Sequence, residues 1–386
     1  MIVSGCTCAE LERALSSGDK PLPAYRAKQI FYAISQGAAS FNEISVLPKD
    51  LRTELASRHS IRSLKVLSTL EDTNDGSRKF QLETEDGCLI ESVLMRPPQR
   101  NGLNAGWSAC LSTQVGCPCG CIFCKTGTIP FARNLSTAEI YEQFLLMQDY
   151  VHKEVSTSST SGNQAISGNQ ATGGGQSSSG GRACRDHKIS SIVIMGMGEP
   201  LLNLDNLLKA LSIITDEEGT ALSSRHITIS TCGILSGIRQ LAEASSNAHK
   251  QYRLALSLST ADEALRNELM PISRQYSMAD LRSALVAFQQ QTGKRITLEM
   301  PIFKGVNTRP QDAELLEKFI YQKPALKVLV NLIPWNPFEG SALQRPSSKE
   351  INRFMLLLES RGIKVSLRIS RGKGLGGACG QLGVRG

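Results

Sequence analysis

The spacing of apolar and polar positions divides the chain into three stretches. Residues 1–60 read as helical. In "PLPAYRAKQIFYAISQG", Tyr25, Ile30, Phe31 and Ile34 lie near helical spacing, Arg26 and Lys28 fall outside that face, and Gly37 marks a stop. From 61 to 98 the pattern turns strand-like, and "RKFQLETEDGCLIESVLMRPP" predicts two strands around an Asp86-Gly87 turn. Beyond Trp107 short apolar runs alternate with amphipathic helices. The runs are "SACLSTQVG", "ISSIVIMG", "RHITIST", "YRLALSLS", "RITLEMPI", "KVLVNLIP" and "IKVSLRIS", with helices expected at 137–151, 204–214, 278–291 and 349–361. Strands alternating with helices predict parallel βαβ units, and six or seven in succession predict an open or closed α/β barrel. In such folds the chemistry gathers where strands end, and "GMGEP", "STCG", "SLST" and "IPWNP" all stand there.

One segment breaks the rhythm. "STSSTSGNQAISGNQATGGGQSSSGGR", residues 156–182, carries an imperfect "SGNQA" repeat and almost no apolar surface. It predicts a disordered loop inserted after the first barrel helix, with no catalytic role.

Composition narrows the picture. Hydrophobic residues make up 41% of the 386 positions, enough for a large core, and no segment reaches the apolar length of a membrane span. The N-terminal "MIVSGCTCAELERAL" lacks the basic leader and apolar length of a signal peptide, so a cytoplasmic location is expected. Eleven cysteines without an export signal then argue against a disulfide framework and for metal binding or catalysis. A net charge of +8 suits a polyanionic partner without deciding for one.

The densest chemistry is "CPCGCIFCKTG", residues 117–127. Cys117, Cys121 and Cys124 form C-x3-C-x2-C, with Cys119 an extra thiol between the first two. A structural zinc site usually takes four ligands, often as two separated pairs, and no second C-x2-C or paired histidines follow. Three thiolates on a short loop can instead hold three irons of a [4Fe–4S] cluster and leave the fourth open to a ligand. On the spacing alone zinc stays open.

Further blocks accompany this loop in order: "CLSTQVGCPCGCIFCKTG", "IVIMGMGEPLLNLDNLL", "HITISTCGI", "LALSLSTADEALRNELMPI", "VNLIPWNPFEG" and "GGACGQL". In these the chain resembles the radical S-adenosylmethionine (SAM) enzymes, and among them the RlmN/Cfr-type 23S rRNA adenine methyltransferases. The likeness runs from the N-terminal helices to the C-terminus, the 156–182 insert excepted. It implies an α/β fold, a partial (β/α)6 TIM-like radical SAM barrel over 99–386 that ends in a catalytic cysteine loop. It also implies a helical RNA-binding accessory domain at 1–60 and a β-hairpin linker at 61–98.

The resemblance implies a [4Fe–4S] cluster on Cys117, Cys121 and Cys124, and SAM contacts at Gly198, Glu199, Ser230, Ser257, Leu258, Ser259 and Asn336. Cys379 would become S-methylcysteine, and its methyl group, as a radical, would add to an adenine ring carbon. Cys110 would then release the protein–RNA crosslink by forming a disulfide with Cys379, and Glu91 would accept the ring proton. The partners implied are 23S rRNA and an external, flavodoxin-like electron donor, with the protein a monomer. C2 is the expected position of methylation. C8 is the alternative, and transfer RNA as a second substrate stays open. Arg26, Lys28, Arg368, Arg371 and Lys373 are candidates for the RNA-facing surface. Two positions depart from the family: Ser259 stands where histidine is common, and "KGLGG" replaces an acidic stretch before "ACGQL". The rival from another class is a non-enzymatic, zinc-stabilised RNA-binding protein.

Overall fold

Ten strands form one sheet in the order β1-β2-β3-β6-β9-β10-β11-β12-β13-β14. The structure is a computed structural model and describes residues 1–16, 21–96, 99–100, 103–104, 106–161, 188–247, 250–368 and 370–383. The antiparallel part comprises β1 (Lys65–Glu71), β2 (Arg78–Glu83) and β3 (Leu89–Met95). Strand β3 pairs antiparallel with β6 (Trp107–Cys110), which itself runs parallel to β9 (Ile189–Ile194). Parallel pairing continues through β10 (Ile227–Thr231), β11 (Arg253–Ser257), β12 (Ile296–Ile302), β13 (Val328–Pro334) and β14 (Val365–Leu367). Two two-stranded ribbons stand apart, β4 (Gln99–Arg100) with β5 (Leu103–Asn104) and β7 (Gln114–Val115) with β8 (Arg133–Asn134).

All seven apolar runs hold the parallel strands, one more than a six-stranded barrel requires. Among the described residues the sheet does not close, because β14 pairs with β13 alone. It curls nonetheless: Arg368, just past β14, donates to Met195 Sδ, just past β9, at 3.2 Å. The expected hairpin at Asp86-Gly87 joins β2 to β3 and continues the main sheet. Strand β1 adds a third member that the apolar pattern did not single out, since all but one of its residues are exposed.

Helices cover the parallel strands and bury their apolar faces against them. Met278–Thr292 shows how the local sequence sets the ends: Ser277 accepts from the Asp280 amide, and Gly293 closes the helix at φ +69°. Thr137–Ser161 runs beyond its expected end and takes in 156–161, the start of the segment read as a loop. The rest of that segment lies outside the described residues. Helices at Leu235–Asn247, Glu263–Leu269 and Pro310–Tyr321 complete the crossovers.

The N-terminal region holds helices Cys8–Ser16, Ala24–Ser35 and Lys49–Arg58. Ile30, Phe31 and Ile34 are buried as the spacing predicts, but Tyr25 is 52% exposed. It stands in the first turn of its helix, where Arg26 covers its ring at 4.9 Å. A buried carboxylate ties this region to the barrel. Glu142 accepts from Ser4 Oγ at 2.6 Å and from the Ser63 and Leu64 amides at 2.7 Å each.

Candidate active site

The carboxyl ends of the parallel strands enclose a cavity of 160 Å³ whose lining includes Cys117, Cys121, Cys124, Glu199, Ser230 and Ser257. A second cavity, of 340 Å³, lies against the β3–β6–β9 side, with Val93, Met95, Ser108 and Cys110 among its walls. Met195, Arg368 and Cys379 line both.

The cysteine loop follows β7, and the bend depends on Gly116 at φ +73°, where a Cβ would meet the Pro130 carbonyl oxygen at 2.1 Å. Burial pushes the Cys121 and Cys124 thiols up, and repulsion from neighbouring thiols adds to it. Cys117 is raised first by its hydrogen bond with Cys119 and then by burial. Three such thiols cannot ionise together without a cation among them, so the donor set fits an iron–sulfur cluster. The thiol of Cys119, which lines the same cavity, also meets Cys232 Sγ at 3.5 Å.

Glu199 is 3% exposed and its two oxygens accept from the Leu201 amide at 3.0 Å and the Cys232 amide at 2.7 Å. Burial raises its carboxyl, and the Cys232 amide opposes that shift. Gly198 must be glycine: φ is +101°, and a Cβ would fall 2.5 Å from Gln114 Cβ. Ser230 and Ser257 end neighbouring strands with hydroxyls 3.3 Å apart. Leu258 and Ser259 depart from the expectation. Leu258 is packed in the core and Ser259 Oγ donates to Met270 Sδ at 3.2 Å, so neither side chain lines the cavity. Their turn is tight enough to hold Ser259 at φ +60°.

Cys379 rides on a loop fixed at several points. Asn336 Nδ2 donates to its carbonyl at 3.2 Å, and the Lys125 amide donates to the Gly380 carbonyl at 2.8 Å. Asp75 accepts from the Gly372 amide at 2.8 Å and Asp72 from the Gly374 amide at 3.0 Å. Cys110 is buried across the second cavity, and burial first, then the nearby Cys379, pushes its thiol up to about 12. The disulfide expected of this pair is not formed. Both thiols are free, each on its own element, Cys110 at the end of β6 and Cys379 on the C-terminal loop.

Glu91 lines neither of these cavities. Its oxygens are held by Lys79 Nζ at 2.9 Å and the Gly383 amide at 2.7 Å. The basic candidates divide. Arg368 and Arg371 line the Cys110 cavity and Lys28 is paired with Glu218 at 2.6 Å, so of the five, Arg26 and Lys373 alone have neither arrangement.

Two lining or bracing residues, Arg266 and Glu299, escaped the sequence reading, and a third, Arg368, was expected on the RNA-facing surface and instead lines the site. Arg266, 2% exposed, donates to the carbonyls of Ser257, Leu258 and Cys232 and so clamps two strand ends together. Arg368 faces Glu299 Oε1 at 3.4 Å, and its guanidinium pKa is raised first by the Cys379 sulfur and then, against burial, by Glu299. Glu299 itself interrupts the apolar run "RITLEMPI", a signal that was available.

The fold and site define a radical SAM methyltransferase. A solved radical SAM methyltransferase from Sphaerobacter thermophilus superposes with a TM-score of 0.83 at 34% identity, covering 99% of each chain. No family model matches the chain. Curated relatives do. The chain is 37% identical to a probable dual-specificity RNA methyltransferase RlmN of Treponema pallidum, over 99% of this chain and 97% of that one. It is 40% identical to the Treponema denticola protein of the same name, over 93% and 90%, and 36% identical to the Geobacter sulfurreducens RlmN, over 98% and 91%. The chain belongs to the RlmN family of RNA methyltransferases, and its cofactors are a [4Fe–4S] cluster and SAM. The zinc-stabilised, non-enzymatic alternative falls with that membership.

Proposed function

We propose that the protein methylates C2 of an adenine in 23S rRNA, with the methyl carbon carried on the sulfur of Cys379. The supporting observation is that Cys379 lines both cavities, one holding the three loop thiols and the other Cys110. The dual specificity in the name of its relatives extends the proposal to an adenine in transfer RNA. The N-terminal helices at 1–60 would form the RNA-contacting unit, 61–98 the linker and 99–386 the catalytic unit. Exposed Tyr25 and Tyr32 beside Arg26 favour that reading, because flat rings and a guanidinium suit unstacked bases. A flavodoxin-like donor would supply electrons to a monomer in the cytoplasm.

Cys117, Cys121 and Cys124 would hold the cluster, with Cys119 outside the ligand set. Bound together there, cluster and SAM supply a methyl donor and a carbon radical able to take hydrogen from a methyl group. Cys379 first takes a methyl group on its sulfur from the cavity side that holds the loop thiols. It then presents that carbon to the base in the second cavity. A ring carbon of adenine is a poor nucleophile, so delivery as a radical avoids a step that polar transfer could not make. Asn336, Asp72 and Asp75 keep the loop in place meanwhile. Glu91 takes the ring proton only after Gly383 leaves its carboxylate. Cys110 would release the product by attacking the Cys379 sulfur: an S–S bond forms, the S–C bond breaks, and the departing carbon keeps the electron pair and takes up a proton to become the methyl group. The external electron donor would reduce the disulfide to two thiols before the next turnover. That disulfide belongs to turnover, not to the resting protein.

Peptide mapping of protein incubated with SAM tests the carrier. Cys379 should gain the mass of one methyl group, and an unmodified Cys379 in protein that methylates RNA would overturn the mechanism.

A further inference from the structure

Glu299 is the one charged side chain on β12, a strand otherwise apolar apart from Thr297. It is 5% exposed and, from the middle of the strand, lines the cavity of the loop thiols. Oε1 is used: Asn331 Nδ2 donates to it at 3.1 Å and Arg368 faces it at 3.4 Å. Oε2 is buried and has no hydrogen-bond partner among the described residues. A buried carboxylate oxygen left without a donor is costly, and protein interiors rarely keep one. Here the cavity that the Glu299 side chain lines is the space from which a donor would come.

The other carboxylate of the cavity is differently placed. Glu199, the expected acceptor for SAM, already has one backbone amide on each oxygen and serves to tie the β9 and β10 ends. Ser257, the residue opposite Glu299 in the β11–β12 register, ends its strand beside Ser230. Ser230, Ser257 and Glu299 therefore line one otherwise largely apolar chamber together.

We propose that Glu299 is a SAM-binding residue whose free oxygen accepts from a donor group of the cofactor. SAM offers two kinds of donor, the ammonium of its methionine end and the hydroxyls of its ribose, and it carries a net positive charge that a carboxylate favours. The proposal rests on the reading of this cavity as the SAM site, and it adds Glu299 as an acceptor beside Glu199, whose oxygens each keep a second lone pair. Arg368 pairs with the other oxygen of the same carboxylate at 3.4 Å, so the cofactor's donor would complete the carboxylate's set of partners.

Calorimetric binding of S-adenosylhomocysteine to the anaerobic cluster-loaded protein provides the test. It reads affinity without turnover. The wild type should bind, and Glu299→Gln should bind at least tenfold more weakly while melting, without ligand, near the wild-type temperature. Methionine and 5′-deoxyadenosine, titrated separately, then identify the donor: the ligand whose affinity falls in Glu299→Gln carries it. Equal affinity of the wild type and Glu299→Gln for S-adenosylhomocysteine would overturn the proposal and leave Glu299 as a counter-ion of Arg368. Absence of binding by the wild type would overturn the reading of the cavity itself. If Glu299→Gln does not fold, Glu299→Asp keeps the charge with a shorter reach. It should lose affinity too, and unchanged affinity there would also overturn the proposal.

Discussion

Cys119 and Cys121 stand two positions apart in one loop and face different neighbours. All four loop thiols line the cavity, but Cys119 alone also meets Cys232, at 3.5 Å. Cys119→Ala should therefore retain iron near the wild-type stoichiometry, whereas Cys121→Ala should lose most of it, as iron analysis after anaerobic reconstitution would show. Cys110 makes a prediction about pH. Its thiol pKa lies above that of an ordinary thiol, about 8.5, so it stays protonated through neutral pH and reaches half-ionisation only at about 12. Alkylation of Cys110 in the folded protein should stay slow at a pH where the same residue, in denaturant, reacts freely. Fast labelling of folded protein near pH 8.5 would contradict the buried placement. Gly198→Ala would place a Cβ against Gln114 at a left-handed φ, a change expected to cost about 2–4 kcal/mol and to lower the melting temperature by several degrees.

At the scale of elements, the Cys379 loop is held by the turn between β1 and β2. Asp72 and Asp75 accept from loop amides, and the Asp72 carboxyl lies below the usual range, first through the Asn74 amide and, after opposing burial, through Gly374. A depressed carboxyl contributes its stability above the unfolded pKa of about 4 and loses it as the pH falls below that value. The double variant Asp72→Ala/Asp75→Ala should free the 371–377 segment to protease attack and slow methylation of Cys379, while iron content holds. A loop as resistant as the wild type's would show that the clamp is not needed. Within "KGLGG" the Gly374 amide is taken by Asp72, and just before it the Gly372 amide by Asp75, so carboxylates from another element hold this stretch. Glu142 plays the comparable part for the N-terminal region. Glu142→Ala strands the Ser63 and Leu64 amides and should destabilise by about 2–4 kcal/mol in denaturant titration.

Across the molecule, what the sequence disclosed follows from how local each signal is. The apolar runs and their helices were legible because burial on a parallel sheet leaves short hydrophobic blocks bounded by turns. Strand β1 was not, since an exposed edge writes no such block. The cysteine spacing was legible because its ligands lie within one loop. Arg266 and Glu299 take their meaning from contacts across the sheet, and Arg368, legible as a basic residue, was not legible as the partner of Glu299. Leu258 and Ser259 show the opposite case: the motif is present, but the turn directs their side chains into the core. The seven-strand parallel array and its curl set Cys379 between two cavities, and the whole functional reading depends on that placement.

The most direct test is mass spectrometry of nucleosides from a 23S rRNA fragment treated with reconstituted protein, reductant and SAM, alongside Cys379→Ala. The proposed function predicts 2-methyladenosine from the wild type and none from the variant, with iron unchanged between them. Formation of 8-methyladenosine, or methylation by Cys379→Ala at the wild-type rate, would contradict it.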